Sequence, residues 1–210
     1  MTRVRQDRAI RTRGVILRAA AQVFDEYGLA GSSISKIMTR AGTTQGAMYF
    51  HFKSKENLAR AVINEQAADL SLPERPEGLA QLIGLTFFLA REMQSNVLFR
   101  AGVTLAVEQG QVGLRDFSPY DMWADLFRGE LEAARSKGEL QDDVEVGEVA
   151  QLLVAAYTGS QVMSNLLTGP DRADLPERIG RMWRYILPGI AQPDRLAELR
   201  EVAERAGTAA

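Results

Sequence analysis

An all-α protein, with a small basic N-terminal head and a larger helical body, is the fold class that the sequence predicts. Apolar residues recur three and four positions apart through most of the 210 residues, which is the helical period. No segment sustains the alternation of apolar and polar positions that marks a half-buried strand. Glycine, proline and hydroxyl residues punctuate the periodic stretches where helices end and begin. The composition is 46% hydrophobic and 25% charged, with 18 Gly and 7 Pro, which excludes a disordered, collagen-like or low-complexity chain.

Taken in order, Ile16, Ala19, Ala20, Val23, Phe24 and Tyr27 form the apolar face of a first helix. Arg3, Arg5, Arg8, Arg11 and Arg13 precede this first packed helix. Gly28 and Gly31 end it, Gly28 standing at the C′ position after Tyr27. Ser32 or Ser33 caps a second helix whose inner face is Ile34, Ile37, Met38 and Ala41, and Gly42 terminates it. Thr44 caps a short third helix over 45–50, and Phe50 and Phe52 are expected in the core of the head. Ser54 caps a fourth helix carrying Leu58, Ala61, Val62 and Ile63. Ser71 to Gly78 holds two prolines and reads as a loop. Beyond it the pattern predicts helices over 79–94, 96–109, 119–137, 144–167, 175–190 and 194–206. The chain shows no internal repeat of 20–50 residues.

Several function classes drop out. With no cysteine, disulfides, zinc ribbons, iron–sulfur clusters and thiol catalysis are excluded. His51 is the only histidine, so no metal site is expected; it reads as a residue that caps or packs between the third and fourth helices, with a phosphate contact as the alternative. No cofactor is expected. The chain has no G-x-S-x-G elbow, P-loop or G-x-G-x-x-G, and the acidic run Asp142, Asp143 and Glu145 lacks calcium-loop spacing, so it is not expected to be an enzyme. The arginine-rich N-terminus lacks the apolar core of a signal peptide, and the nearly apolar run 78–90 is too short to span a bilayer. The expectation is a cytoplasmic protein with no membrane partner.

The net charge of −2 conceals an asymmetry: residues 1–60 carry eleven basic and four acidic side chains, +7, leaving −9 on the remainder. A basic end on an acidic body is the distribution of a chain that meets nucleic acid with one domain. The turn Gly42–Thr43–Thr44 between two short helices makes a helix-turn-helix, which places the start of the third helix in the major groove. There Gln45 has the bidentate geometry for an adenine edge. Gly46 lets backbone approach DNA closely. Tyr49 sits on the same helix face with a phenol for phosphate. Lys55 sits at a helix N-terminus, a good phosphate seat. Ser33, Thr43, Thr44 and His51, with Arg3, Arg5 and Arg8 as phosphate or minor-groove contacts, complete the expected DNA-binding set.

The run Ala41-Gly-Thr-Thr-Gln-Gly-Ala-Met-Tyr-Phe-His-Phe-Lys-Ser-Lys55 resembles the DNA-binding signature of TetR-type repressors, and the resemblance extends from about residue 10 to residue 63. It implies a helix-turn-helix domain over 1–55 and a ligand-binding and dimerisation domain over 56–210. More weakly, Thr86–Phe87, Val97 to Gly102, Trp123, Gly159–Ser160 and Met182–Trp183 resemble the regulatory domain of γ-butyrolactone-type autoregulator receptors. In that branch Gln45 departs from a frequent lysine. The branch implies that Trp123 stacks on a lactone ring, while Ser160, where threonine is usual, and Gln66 bind its oxygens. Phe87, Tyr157 and Thr158 complete the expected ligand set. Read from the residues alone, Trp123 and Tyr157 are equally well core residues and Gln66 equally well a surface residue. Arg91 and Arg100 are candidates to clamp a ligand carboxylate.

The function so implied is a ligand-released repressor of specialised-metabolite genes: a homodimer on pseudo-palindromic operator DNA, released by a small inducer of butyrolactone, butenolide or furan type. Apolar residues on helices 144–167 and 175–190 exceed what one buried face needs, as a four-helix dimer interface requires. The rivals are a sensor of a different ligand, such as a drug or metabolite, and an architectural DNA-binding dimer with no effector.

Overall fold

The computed structural model describes residues 2–108 and 118–208, with side chains over 6–108 and 119–208. Ten α-helices lie among the described residues: α1 (Thr2–Gly31), α2 (Ile34–Ala41), α3 (Gln45–Phe52), α4 (Lys55–Asn64), α5 (Leu79–Ser95), α6 (Val97–Glu108), α7 (Ser118–Ser136), α8 (Val146–Thr168), α9 (Leu175–Ile190) and α10 (Leu196–Thr208). A 3₁₀ turn, Pro193–Arg195, precedes α10. No strand forms among the described residues beyond one isolated bridge, Leu140 to Ala191. The chain divides into two compact units, one holding Met1–Leu70 with Asn96–Asp116 and the other Ser71–Ser95 with Phe117–Ala210.

In the first unit the caps stand where the sequence places them. Ser33 accepts from the Lys36 amide at 3.2 Å, Thr44 from Ala47 at 3.3 Å and Ser54 from Asn57 at 3.1 Å. Gly42 takes the left-handed conformation at the end of α2 (φ 60°, ψ 33°), and its amide donates to the carbonyls of Met38 and Thr39. Ile16, Ala20, Val23 and Phe24 of α1 are buried, as are Ile37, Met48, Phe52, Leu58 and Val62 of α2 to α4. α6 packs on α1 and α4. That packing is close: a Cβ on Gly102 would stand 2.4 Å from the Gln66 Cβ and 2.9 Å from the Val62 carbonyl oxygen. Arg100 of α6 donates to both carboxylate oxygens of Asp25, from Nε at 2.9 and 3.1 Å and from a terminal nitrogen at 2.8 Å.

Four expectations are corrected here. Helix α1 begins at Thr2, so the early arginines lie on it rather than before it, and φ +64° at Gly28 interrupts it near its end. The third helix runs two residues further than the reading 45–50, to Phe52. Phe50 is 71% exposed, not in the core, because Met48 and Phe52, four apart, already form the inward stripe. Tyr27 is likewise exposed, with the Lys36 ammonium 3.9 Å from its ring centroid.

The second unit is built around α5, which packs on α7, α9 and α10 and buries Leu82, Ile83, Phe87, Leu89 and Met93. Two buried carboxylates hold its N-terminus. Glu130 accepts from the amides of Glu77 (2.8 Å) and Gly78 (3.1 Å), and Glu139 accepts from Leu79 (2.9 Å). Trp183 of α9 is fully buried, and its indole N–H donates to the Thr86 hydroxyl at 2.8 Å. At the α8–α9 junction Asp174 accepts from Ser164 and Arg178, and the Arg178 guanidinium together with the Ser164 hydroxyl holds its carboxyl below the usual carboxylate range. Leu152, Met163, Leu166 and Leu167 on α8, and Tyr185 on α9, remain exposed. No helix among the described residues is long and apolar enough to cross a membrane.

Candidate functional site

The outward face of α3 is the best-defined candidate surface. Gln45, Gly46, Tyr49 and Phe50 are exposed there, while Met48 and Phe52 anchor the opposite side in the core. Both short helices present capped N-termini. The Ser33 and Thr44 oxygens accept from the chain, which leaves each O–H free to donate outward. Thr43 is half-buried beside them, and His51 is half-buried with its ring edge-on to Phe50.

The basic residues divide by their partners. Arg13 pairs with Glu65 and lies over the Phe52 ring, its pKa raised mainly by that carboxylate, and Arg40 pairs with Glu26. The Lys55 ammonium donates to the carbonyls of Leu29 (2.9 Å) and Ser32 (3.1 Å), which ties the end of α1 to the start of α4. Arg8, Arg11, Arg18 and Lys53 are exposed. The side chains of Arg3 and Arg5 fall outside the described residues.

In the second unit Trp123 and Tyr157 are buried and Ser160 is half-buried. Tyr157 and Ser160 share one side of α8, three residues apart. The Tyr157 hydroxyl is buried without a hydrogen-bond partner, and desolvation pushes its pKa well up, so it stands as a neutral donor. Thr158 points elsewhere, into a cavity of about 450 Å³ between α7 and α8 that Tyr120, Asp121, Ala124, Gln151 and Val154 also line. Phe87 borders a different hollow of about 940 Å³ against α9 and α10, next to Gly180 and Gly207. Thr158 and Phe87 thus border two different hollows.

Gln66, in the first unit, is only 2% exposed, which removes the surface alternative, and its Oε1 is buried without a partner. Arg100 is committed to Asp25, so its guanidinium is not waiting for a ligand carboxylate. Sequence reasoning missed Gln161 and Ser164, buried polar residues of α8; steps of four and seven from Tyr157 point to them. No group of three or more His, Asp or Glu side chains suited to a metal ion occurs among the described residues.

Comparison with known proteins gives the arrangement a context. Residues 16–62 match the family model "Bacterial regulatory proteins, tetR family", and residues 77–193 match "Tetracyclin repressor-like, C-terminal domain". The A-factor receptor protein of Streptomyces griseus is 37% identical over 213 residues, covering 96% of this chain and 76% of that protein. Among solved structures, the TetR regulator TylP of Streptomyces fradiae superposes with a TM-score of 0.80 at 40% identity, covering 96% of both chains. A γ-butyrolactone receptor, an ArpA-like protein, superposes with a TM-score of 0.70 at 29% identity, covering 96% of this chain and 100% of that one.

Proposed function

Because the chain belongs to the TetR family of bacterial regulators, we propose that it is a ligand-responsive transcriptional repressor, a homodimer that leaves its operator when a small signalling molecule of γ-butyrolactone, butenolide or furan type binds. The observation that carries the DNA-binding part is the outward face of α3. Gln45, Gly46 and Tyr49 stand exposed on a helix whose inward residues are core, at the end of a capped turn. Ser33, Thr43, Thr44 and His51 frame that face, and the exposed Arg8 of α1 adds positive charge to the same unit. Lys55 contributes by holding α4 to α1 and, through its position at the start of α4, by lying next to the phosphate-binding helix end.

The exposed stripe of Leu152, Met163, Leu166, Leu167 and Tyr185 supports pairing of two copies through α8 and α9, since a soluble surface has no use for so many large apolar groups on two adjacent helices. A dimer also lets two short recognition helices read half-sites about one helical turn apart. The effector part is supported by the Tyr157 hydroxyl, a buried donor that pairs with nothing among the described residues and that a lactone or carboxyl oxygen would satisfy. Trp123 supplies the flat apolar surface, with Ser160, on the Tyr157 side of α8, as a further ligand residue suggested by the receptor branch. Switching occupancy from near-complete to near-zero requires the ligand to prefer the non-binding state by about 10⁴-fold. The genes controlled belong, on the same resemblance, to specialised metabolism.

The test uses the full chain, a duplex selected from a random pool, and a panel of synthetic γ-butyrolactones, butenolides and furan carboxylic acids. Tyr157→Phe should bind the duplex as the wild type does and need about tenfold more of the active compound for release, as loss of one hydrogen bond predicts. Trp123→Ala should bind and fail to release. Release of Trp123→Ala at the wild-type concentration would remove Trp123 from the ligand site and leave the repressor reading standing.

A further inference from the structure

The outward face of α3 carries a residue that neither the fold nor the contacts described so far employ. Helical geometry, with about 100° between successive residues, puts Gly46 in the middle of that face, with Tyr49 and Phe50 on either side of it. Phe50 is 71% exposed, whereas Met48 and Phe52 are 0% and 5% exposed and fill the inward side. The core therefore does not need the Phe50 ring. The ring is nevertheless oriented, edge-on to His51 with centroids 5.0 Å apart and an interplanar angle of 83°.

Gly46 points the same way. A Cβ there would meet only the Thr44 hydroxyl oxygen, at 3.8 Å, an ordinary contact, so nothing inside the protein demands glycine. The missing side chain opens space on the outside, between the two rings. A duplex that comes close enough to use that space meets Tyr49 on one side and Phe50 on the other. Tyr49 has a hydroxyl to give to phosphate. Phe50 has neither donor nor acceptor, so hydrogen bonding cannot be its means of reading sequence. Of the features that base pairs show in the major groove, the thymine C5-methyl is the one recognised by apolar contact.

We infer that Phe50 is a specificity-determining residue of the DNA face, packing its ring on the methyl group of one thymine in each half-site; this rests on the DNA-binding reading above. It divides the work on α3. Gln45 reads a base edge by hydrogen bonds, Tyr49 positions the helix on the backbone, and Phe50 selects a thymine by its methyl.

The experiment uses the full-length chain and the duplex that the wild type selects from a random pool, resynthesised with uracil in place of thymine at one position at a time. Uracil lacks only the methyl, so every hydrogen-bonding group of the base is retained. The wild type should lose about fourfold in affinity at one position of each half-site, the change expected for one methyl withdrawn from an apolar contact. Phe50→Ala should bind the thymine and uracil duplexes equally at that position, and Phe50→Leu should keep part of the difference. Both variants should melt as the wild type does, because the ring is outside the core. The inference fails if the wild type is indifferent to uracil at every position, or if Phe50→Ala keeps the same sensitivity. A loss in Phe50→Ala that is uniform over all sequences would likewise overturn it, since that is the mark of a sugar contact. A chain that enriches no sequence from the pool would overturn the DNA-binding reading itself, a separate result.

Discussion

The two units hold their helix ends in different ways. In the first, α3 sorts eight residues so that Met48 and Phe52 face inward while Gln45, Gly46 and Tyr49 face out, and each short helix starts on its own cap. In the second, the start of α5 is held instead by the buried carboxylates of Glu130 and Glu139, and Thr86, Gln161, Ser164 and Arg172 are buried as well, while Leu152, Leu166, Leu167 and Tyr185 are left outside. A buried polar group needs a partner, and for Thr86, Glu130 and Glu139 a partner lies 52 to 97 residues away in sequence. The contrast teaches that the outward face of α3 is built from neighbours in the chain, whereas the second unit is held by residues that folding brings together.

The sharpest way to break this comparison is Glu130→Ala. It strips the amides of Glu77 and Gly78 of their acceptor at a site 1% exposed. The full chain should lose about 2–4 kcal/mol in urea unfolding. Below the unfolding transition, duplex binding should be unaltered. A change under about 0.5 kcal/mol, the range of ordinary surface substitutions, would mean that α5 does not depend on this long-range cap.

Gly102→Ala comes next. The added Cβ would meet the backbone carbonyl of Val62 at 2.9 Å and the Gln66 Cβ at 2.4 Å, so α6 and α4 must part. The expected cost is about 1–3 kcal/mol, read by thermal unfolding. An unchanged melting temperature would show that α6 shifts freely on α4.

Gly46→Ala reverses the sign. The helix gains about 0.8–1 kcal/mol of intrinsic propensity, since the nearest atom is 3.8 Å away. Affinity for the selected duplex should nevertheless fall at least tenfold. A variant that gained stability and kept its DNA affinity would show that close backbone approach at Gly46 plays no part in binding.

Where the controlling interaction spans a few residues, the sequence alone determined the result. Ser33, Thr44 and Ser54 cap helices by bonds to amides three residues on, and Gly42 reaches a positive φ because it has no Cβ to hinder it. The helical period similarly placed α5, α7, α8 and α9 to within a residue or two, because amphipathic spacing is a property of the chain itself. Tertiary structure decided the rest. It paired Trp183 with Thr86 across 97 positions, Arg100 with Asp25 across 75 and Glu130 with Gly78 across 52. It buried Gln66 and orphaned its oxygen, and it turned Phe50 outward although its composition and its neighbours suggested core. An aromatic side chain is apolar wherever it stands. Whether it is inside depends on which positions of the helix the rest of the fold has already covered, and no local rule contains that information.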